Sequence, residues 1–382
     1  MRQHKLKKSS NLMDKQHKQL SHVDASEFLV TSWQKKPRLF RQAIENFDSP
    51  LSPDELAGLA LEEDIESRII IDDGDQWHLH HGPFDERFFQ SLEGKTWTLL
   101  VQSVDHWIEE ISELKAYFDF LPRWRLDDIM ISYAPIGGSV GPHFDQYDVF
   151  LLQASGERLW QIGQHCKDSD KHLASDVKVL ADFEESERHL LKPGDMLYLP
   201  PGVAHHGVSQ SDDCMTISIG FRAPSTLEVL DRLVVNLSEE LTSGDRYKDP
   251  ELRLNHPNQI DEQSLSQLQK LIENAITQPE LIAKTFGELM TEKRHANESL
   301  DLDEGNTYFV KALDARLAFI EQVEGIILFA NGQSLSVDKT LHDFILWVCD
   351  GVEVDLSQLN EIERPIATWL LELGVFIQIE EG

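Results

Sequence analysis

Cysteine is scarce in this chain, and its three copies, Cys166, Cys214 and Cys349, are odd in number and far apart. Such a set argues against a disulfide framework and for a reducing compartment. Long apolar runs are missing as well. No stretch approaches the ~20 apolar residues of a membrane-spanning helix, and the first residues lack the apolar core of a signal peptide. The expectation is a cytoplasmic protein that does not engage a membrane. Basic residues are few, 35 Lys and Arg against 67 Asp and Glu, for a formal net charge of −32. A surface that acidic repels phosphate backbones, which disfavours DNA or bare RNA and favours a basic partner. Nor does the cluster Gly137, Gly138 and Gly141 end in the Gly-Lys-Ser/Thr of a phosphate loop, so these glycines read as turn residues.

What is present is a candidate metal site. His143 and Asp145 stand two apart after the glycine-rich turn and just before the apolar run Val149-Phe-Leu-Leu152. On extended chain, side chains two apart point the same way. A third donor follows in Leu197-Tyr-Leu-Pro-Pro-Gly-Val-Ala-His205-His-Gly, where a Pro-Pro-Gly turn opens another strand. Two histidines and one carboxylate form the facial set that holds Fe(II) with three positions open. Zinc sites more often use cysteine or more histidine.

These residues, with Arg158 on the strand after the first two ligands, resemble the JmjC-type 2-oxoglutarate oxygenases. The likeness is nearer still to the bacterial ribosomal oxygenases, the ribosomal-protein arginine hydroxylases. It runs through Trp33-Gln-Lys-Lys-Pro37, Asp127-Asp-Ile-Met-Ile-Ser132, Gly141-Pro-His-Phe-Asp-Gln-Tyr-Asp148, Pro200-Pro-Gly202 and Gly220-Phe-Arg-Ala-Pro224, and these patches span about half of the chain. The family pattern sets its histidine after Pro-Pro-Gly-x-x. It therefore selects His205 over its neighbour His206, which is left to a supporting or solvent-facing place.

The resemblance implies an α+β protein: a double-stranded β-helix of the JmjC/cupin kind, a helical dimerisation region and a C-terminal winged-helix-like module. Fe(II) is expected on His143, Asp145 and His205, with 2-oxoglutarate and O2 as cosubstrates. Ser132 and Arg158 are expected to hold the distal carboxylate of 2-oxoglutarate, because a buried carboxylate needs a cation or hydroxyl. Asp128 and Tyr147 are expected at the substrate arginine. A guanidinium is satisfied by a carboxylate fork and an aromatic face, and these residues supply one of each. The implied reaction is hydroxylation of an arginyl residue of a large-subunit ribosomal protein by a homodimer. Two alternatives stand beside it. The same triad serves histidyl hydroxylases and methyl-lysine demethylases, and a cupin joined to a winged helix also describes a ligand-sensing regulator without turnover.

At 382 residues the chain accommodates two or three domains. Residues 1–22 read as a disordered basic tail, with Met13 a candidate start. Residues 23–224 read as the oxygenase domain, 225–300 as the helical dimerisation region and 301–382 as the winged-helix-like module. Within them, Ser52 and Glu55 form a capping box, as do Ser225 and Glu228. Ser67–Asp72 and Trp97–Gln102 read as strands. Val104–Phe118 has helical spacing that predicts an apolar stripe on the barrel, and Leu227, Leu230, Leu233, Leu237 and Leu241 predict another on the helix after Ser225. Two further helices are expected at Ser264–Ile276 and after Pro279. From Asn306 onward the pattern predicts three helices, surest at Asp338–Cys349 and Glu361–Leu373, then a closing hairpin-like pair. Residues 301–382 carry 16 acids against 4 bases, which points away from DNA and toward protein contact.

Overall fold

The computed structural model describes residues 18–74, 76–167, 169–173, 177–241, 246–250, 256–294 and 307–378. The chain divides into two compact units, Met1–Ala223 and Pro224–Gly382. Residues 1–17, with the candidate start Met13, lie outside the described residues. Residues 18–22 already pack against the first unit, where Leu20 is buried and Ser21 N–H donates to the Ala43 carbonyl.

The first unit contains helices α1 (Ala25–Thr31), α2 (Pro53–Leu59), α3 (Glu86–Gln90) and α4 (Glu109–Ser112). Its strands are β1 (Arg38–Phe40), β2 (Ser67–Asp72), β3 (Trp77–His81), β4 (Thr96–Val101), β5 (Leu126–Ala134), β6 (Asp148–Ser155), β7 (Arg158–His165), β8 (Glu187–Leu191), β9 (Met196–Leu199), β10 (Val203–Ser209) and β11 (Cys214–Phe221). They form an eight-stranded antiparallel sheet, β1-β9-β6-β11-β5-β4-β2-β3, and a three-stranded one, β10-β7-β8.

Alternation explains how each strand is read twice. Ile129, Ile131, Phe150, Leu152, Tyr198, Ile217 and Ile219 point outward from the large sheet into a core shared with Phe28 of α1 and Leu56 of α2. Val149, Leu151, Leu197 and Leu199 point inward and meet Trp160, Ile162, Leu191 and Val203 of the small sheet. Covering both faces requires the near-continuous apolar runs seen in β6, β9 and β11. Polar residues that still point inward are therefore conspicuous.

Both capping boxes form, at Ser52–Glu55 and at Ser225–Glu228. The expected helix from Val104 to Phe118 is not continuous. It breaks into 3-10 turns at Val104–His106 and Glu113–Phe118 around the single turn of α4. Asp105 is the cause: fully buried, it accepts from Ile129 N–H at 2.7 Å and pairs with Lys115 Nζ at 2.6 Å, which pins the segment to the edge of β5.

The second unit holds α5 (Thr226–Glu240), α6 (Glu262–Ile276), α7 (Pro279–Thr291), β12 (Tyr308–Lys311), β13 (Leu317–Glu321), β14 (Ile326–Ala330), β15 (Gln333–Val337), α8 (His342–Asp350), β16 (Glu353–Asp355), α9 (Glu363–Glu372) and β17 (Phe376–Ile377). Where a first helix was expected after Asn306, the chain forms strands instead. β13, β14 and β15 make a meander, and β12 lies between β16 and β17. The Asn331-Gly332 pair, both at positive φ, turns β14 into β15, the hairpin signal that the helical reading passed over. The last strand pairs with β12 and so does not close a local hairpin. The α7 helix carries Gly287 where the ring of Phe329 from β14 presses in, and a Cβ there would lie 2.3 Å from Cζ. The leucine stripe of α5 is only partly covered. Leu233 is buried, whereas Leu227, Leu230 and Leu241 are exposed.

Candidate metal centre and cosubstrate site

His143 and Asp145 lie in the extended segment just ahead of β6, and His205 lies on β10. His143 and His205 pair as an isolated antiparallel bridge. His143 N–H donates to the His205 carbonyl at 3.0 Å, and the reverse bond is 2.8 Å. Gly202 N–H donates to the Asp145 carbonyl at 2.7 Å. Three backbone hydrogen bonds thus bring the two segments together before any ion is considered. Gly202 sits at φ +80°, and a Cβ there would meet the His165 ring at 2.7 Å, so the Pro-Pro-Gly turn needs its glycine. Gly141, at φ +79°, is hemmed in by Val179 and Trp77 in the same way.

The donor atoms of His143, Asp145 and His205 all lie within 4.8 Å of one another, with His205 Nε2 3.6 Å from Asp145 Oδ2. Each imidazole Nδ1 faces a carbonyl, Gly141 O at 2.9 Å and Val203 O at 3.0 Å. A carbonyl only accepts, so Nδ1 carries the proton and Nε2 keeps its lone pair for a metal. Burial and then the neighbouring His143 push the His205 pKa down to about 4, which keeps this imidazole neutral and ligating near neutral pH.

Arg158 enters from the first residue of β7 and is 2% exposed. Among the described residues it makes no ion pair. Its Nε donates to Cys214 Sγ at 3.4 Å, and its Nη2 has no partner. A buried guanidinium without a counter-ion is costly, so this one fits an anionic ligand. Ser132 is buried on β5 opposite Thr216 of β11, its Oγ 3.5 Å from the Thr216 carbonyl, a weak bond at best. Trp160, on the same face of β7 as Arg158, also has an unpartnered Nε1–H. Its ring lies 5.8 Å from the Arg158 guanidinium and 5.8 Å from the His205 ring. Along β7 the indole therefore sits between Arg158 and Ile162, the residue that pairs with His205.

Similarity to known proteins agrees with this geometry. A JmjC domain model matches residues 113–229. The chain is 39% identical over 276 residues to the Escherichia coli ribosomal protein uL16 3-hydroxylase, covering 70% of this chain and 72% of the relative. A probable ribosomal oxygenase of Haemophilus influenzae is 38% identical, over 61% of this chain and 56% of its own length. A crystal structure of E. coli YcfD superposes with a TM-score of 0.83 at 30% identity, over 94% of this chain and 99% of that one. This chain belongs to the bacterial JmjC ribosomal oxygenases. Another YcfD structure, titled as a complex with cobalt and 2-oxoglutarate, has a TM-score of 0.81 at 30% identity.

In this ribosomal oxygenase the two residues expected at the substrate differ in setting. Asp128 is buried, and its Oδ2 accepts from Gln102 Nε2 at 2.6 Å, Ser103 N–H at 3.1 Å and Ser103 Oγ at 2.8 Å. Oδ2 thus serves three donors within the protein. Tyr147 is 43% exposed, and its phenol pKa is raised, first by the Asp145 carboxylate and then by burial and Asp128. Tyr147 thus lies within electrostatic reach of both the metal ligand Asp145 and Asp128. His206 points away from the triad toward Phe183. Sequence reasoning missed Gln102 and Ser103, which follow β4 and reach Asp128 only through the fold. It also gave Gln153 and Cys214 no role in the site, although strand parity sets both on the inward face.

Proposed function

We propose that this protein is an Fe(II)- and 2-oxoglutarate-dependent hydroxylase acting on an arginyl residue of a large-subunit ribosomal protein. The observation that carries the reading is the pairing of the two inward features: three ligands at one end of the barrel and, beside Trp160, a buried Arg158 with no resident counter-ion. A five-carbon keto-dicarboxylate matches both ends. The metal and 2-oxoglutarate, when bound, supply the oxidation by O2, giving succinate and CO2 and delivering one oxygen atom to the substrate carbon. The protein's own residues bind, orient and exclude water. His143, Asp145 and His205 hold the ion, Arg158 and Ser132 hold the distal carboxylate, and Asp128 with Tyr147 receives the substrate guanidinium.

Several features support the finer reading. The name of the E. coli relative states a ribosomal protein as its target, and a net charge of −32 suits a basic partner. Exposed Leu227, Leu230 and Val234 on α5 and Leu265, Leu268 and Ile272 on α6 suit a homodimer formed through residues 225–300. The oxygenase domain is assigned to residues 23–224, and residues 301–382 are assigned to an acidic, winged-helix-like module for protein contact. No helix among the described residues is long and apolar enough to cross a membrane, and the protein is assigned to the cytoplasm with its ribosomal target.

The test is an anaerobic titration with Fe(II) and 2-oxoglutarate, followed by the visible charge-transfer absorption of the chelated keto acid. The band is expected in the wild type, absent in His143→Ala and weakened in Arg158→Ala. Its absence from folded, metal-loaded wild type would overturn the reading. A mass increase of one oxygen on an arginyl residue of a ribosomal protein then identifies the target.

A further inference from the structure

Arg158 is not held by a carboxylate, so something else must set its orientation. The contacts that do so form one buried chain. Thr216 Oγ1 donates to Gln153 Oε1 at 3.2 Å, and Gln153 Nε2 donates to the Ser155 carbonyl at 2.8 Å and to Cys214 Sγ at 3.4 Å. Arg158 Nε donates to the same sulfur, also at 3.4 Å. All four side chains are at least 98% buried. The amide of Gln153 has no freedom to flip, because its oxygen faces a hydroxyl donor and its nitrogen a carbonyl.

The chain arises from strand parity, next to a register irregularity. Between Met215 and Thr216 the pairing of β11 with β6 shifts, so that Met215 faces Ser155 while Thr216 faces Gln153. By alternation Cys214, Thr216 and Gln153 all point inward, at the end of the barrel where β7 begins with Arg158. The rest of the inward surface of β6 is apolar, with Val149 and Leu151.

We infer that Cys214 is a positioning residue for the cosubstrate: its sulfur, anchored by Gln153 and Thr216, engages Arg158 through Nε and leaves Nη2 for the distal carboxylate of 2-oxoglutarate. This inference rests on the function proposed above. A thiol suits the task for a physical reason. It accepts weakly from the guanidinium, so it orients the arginine without neutralising it, whereas an acidic residue there would compete with the ligand.

The experiment separates the clamp from the metal by using two ligands. 2-Oxoglutarate uses both the metal and Arg158, while glutarate has the same distal carboxylate and no keto group to chelate. Titrations are made by calorimetry on Mn(II)-loaded protein and by ligand-observed NMR on metal-free protein. Cys214→Ala is expected to weaken glutarate and 2-oxoglutarate by the same factor, about tenfold, or ~1.4 kcal/mol. Cys214→Ser, which restores an acceptor, is expected to recover most of that loss, and His143→Ala to weaken 2-oxoglutarate alone. In turnover the KM for 2-oxoglutarate rises in Cys214→Ala with kcat within about twofold. Wild-type affinity in Cys214→Ala, or an equal loss in Cys214→Ser, overturns the inference. Should Cys214→Ala fail to fold, Gln153→Leu, which removes the sulfur's other donor, must show the same paired loss, and unchanged binding there overturns it. A wild type that binds neither dicarboxylate rejects the hydroxylase reading itself.

Discussion

Ser103 donates both its backbone N–H and its hydroxyl to Oδ2 of Asp128, and it does so from a left-handed conformation, φ +52°. A non-glycine residue at positive φ carries a conformational cost, typically of order 1 kcal/mol or more. Here the cost is offset by two bonds to a buried carboxylate, which is held in place before any substrate arrives. Preorganisation of that kind lowers the cost of ordering a recognition group on binding.

The first prediction follows from that contact. Asp128→Ala is expected to abolish oxidation of an arginyl peptide while metal and 2-oxoglutarate binding stay within a few-fold of wild type. Ser103→Gly relaxes the backbone and removes the hydroxyl, and it is expected to raise the KM for the peptide by about tenfold, one hydrogen bond to a charged group. Steady-state kinetics against peptide and against 2-oxoglutarate separate the two effects.

A second prediction concerns the fold. Asp148, fully buried, accepts from Tyr198 Oη at 2.6 Å, Arg125 Nη2 at 3.0 Å and Gln34 Nε2 at 3.1 Å. Arg125 in turn lies over the Trp33 ring. This network ties the Trp33-Gln34 segment to the strand that follows the metal ligands. Asp148→Ala leaves a largely buried guanidinium unpaired, and a loss of about 3–5 kcal/mol is expected in urea unfolding. Tyr198→Phe, which removes one bond and keeps the ring packing, is expected to cost about 1–2 kcal/mol.

Gly207 offers a third. A Cβ at this position on β10 would lie 2.7 Å from Trp160 Cη2 and Cζ3. Gly207→Ala must therefore push the indole toward its neighbours, at a cost of about 1–3 kcal/mol. Because the Trp160 ring lies 5.8 Å from both the Arg158 guanidinium and the His205 ring, affinity for 2-oxoglutarate is expected to fall in the same variant, which calorimetry reads directly.

Metal binding should appear as stability. An ion that binds only the folded chain raises unfolding free energy by about 2.7 kcal/mol at roughly a hundred times its Kd. Mn(II) is expected to raise the thermal midpoint of the wild type, and the shift should vanish in His205→Ala and on chelation.

The last prediction is a pH dependence in the second unit. The Asp355 carboxyl is held down to about 2, first by the Ser357 hydroxyl, then by the Ser357 N–H and Gln358. Its folded pKa lies below the unfolded value, so its contribution is present in full above the unfolded value and is lost as pH falls through about 2. The difference in urea midpoint between wild type and Asp355→Asn is expected to be level above pH ~5 and to shrink between pH ~4 and ~2.

Much of the site is legible without coordinates because it is local. His143 and Asp145 are two residues apart, His205 follows the Pro-Pro-Gly turn, and Arg158 is a charge at the head of an apolar strand. Spacing and strand parity carry that information, as do the side-chain oxygens of Ser52 and Ser225 at helix starts. Other features depend on pairings distant in sequence. The bridge between His143 and His205 crosses 62 positions, Ser103 at the end of β4 meets Asp128 on β5, and Cys214 meets Arg158 across 56 positions. The Val104–Phe118 segment has helical spacing, yet Asp105 spends its carboxylate on β5 and Lys115 and breaks the helix. The strands after residue 306 likewise form where the helical pattern competed with an Asn-Gly turn and a partner sheet. Local preferences amount to tenths of a kcal/mol per residue, whereas a buried carboxylate or a sheet edge left unpaired costs several. The sequence thus names the chemical groups, and tertiary pairing, with its larger energies, decides which of them meet.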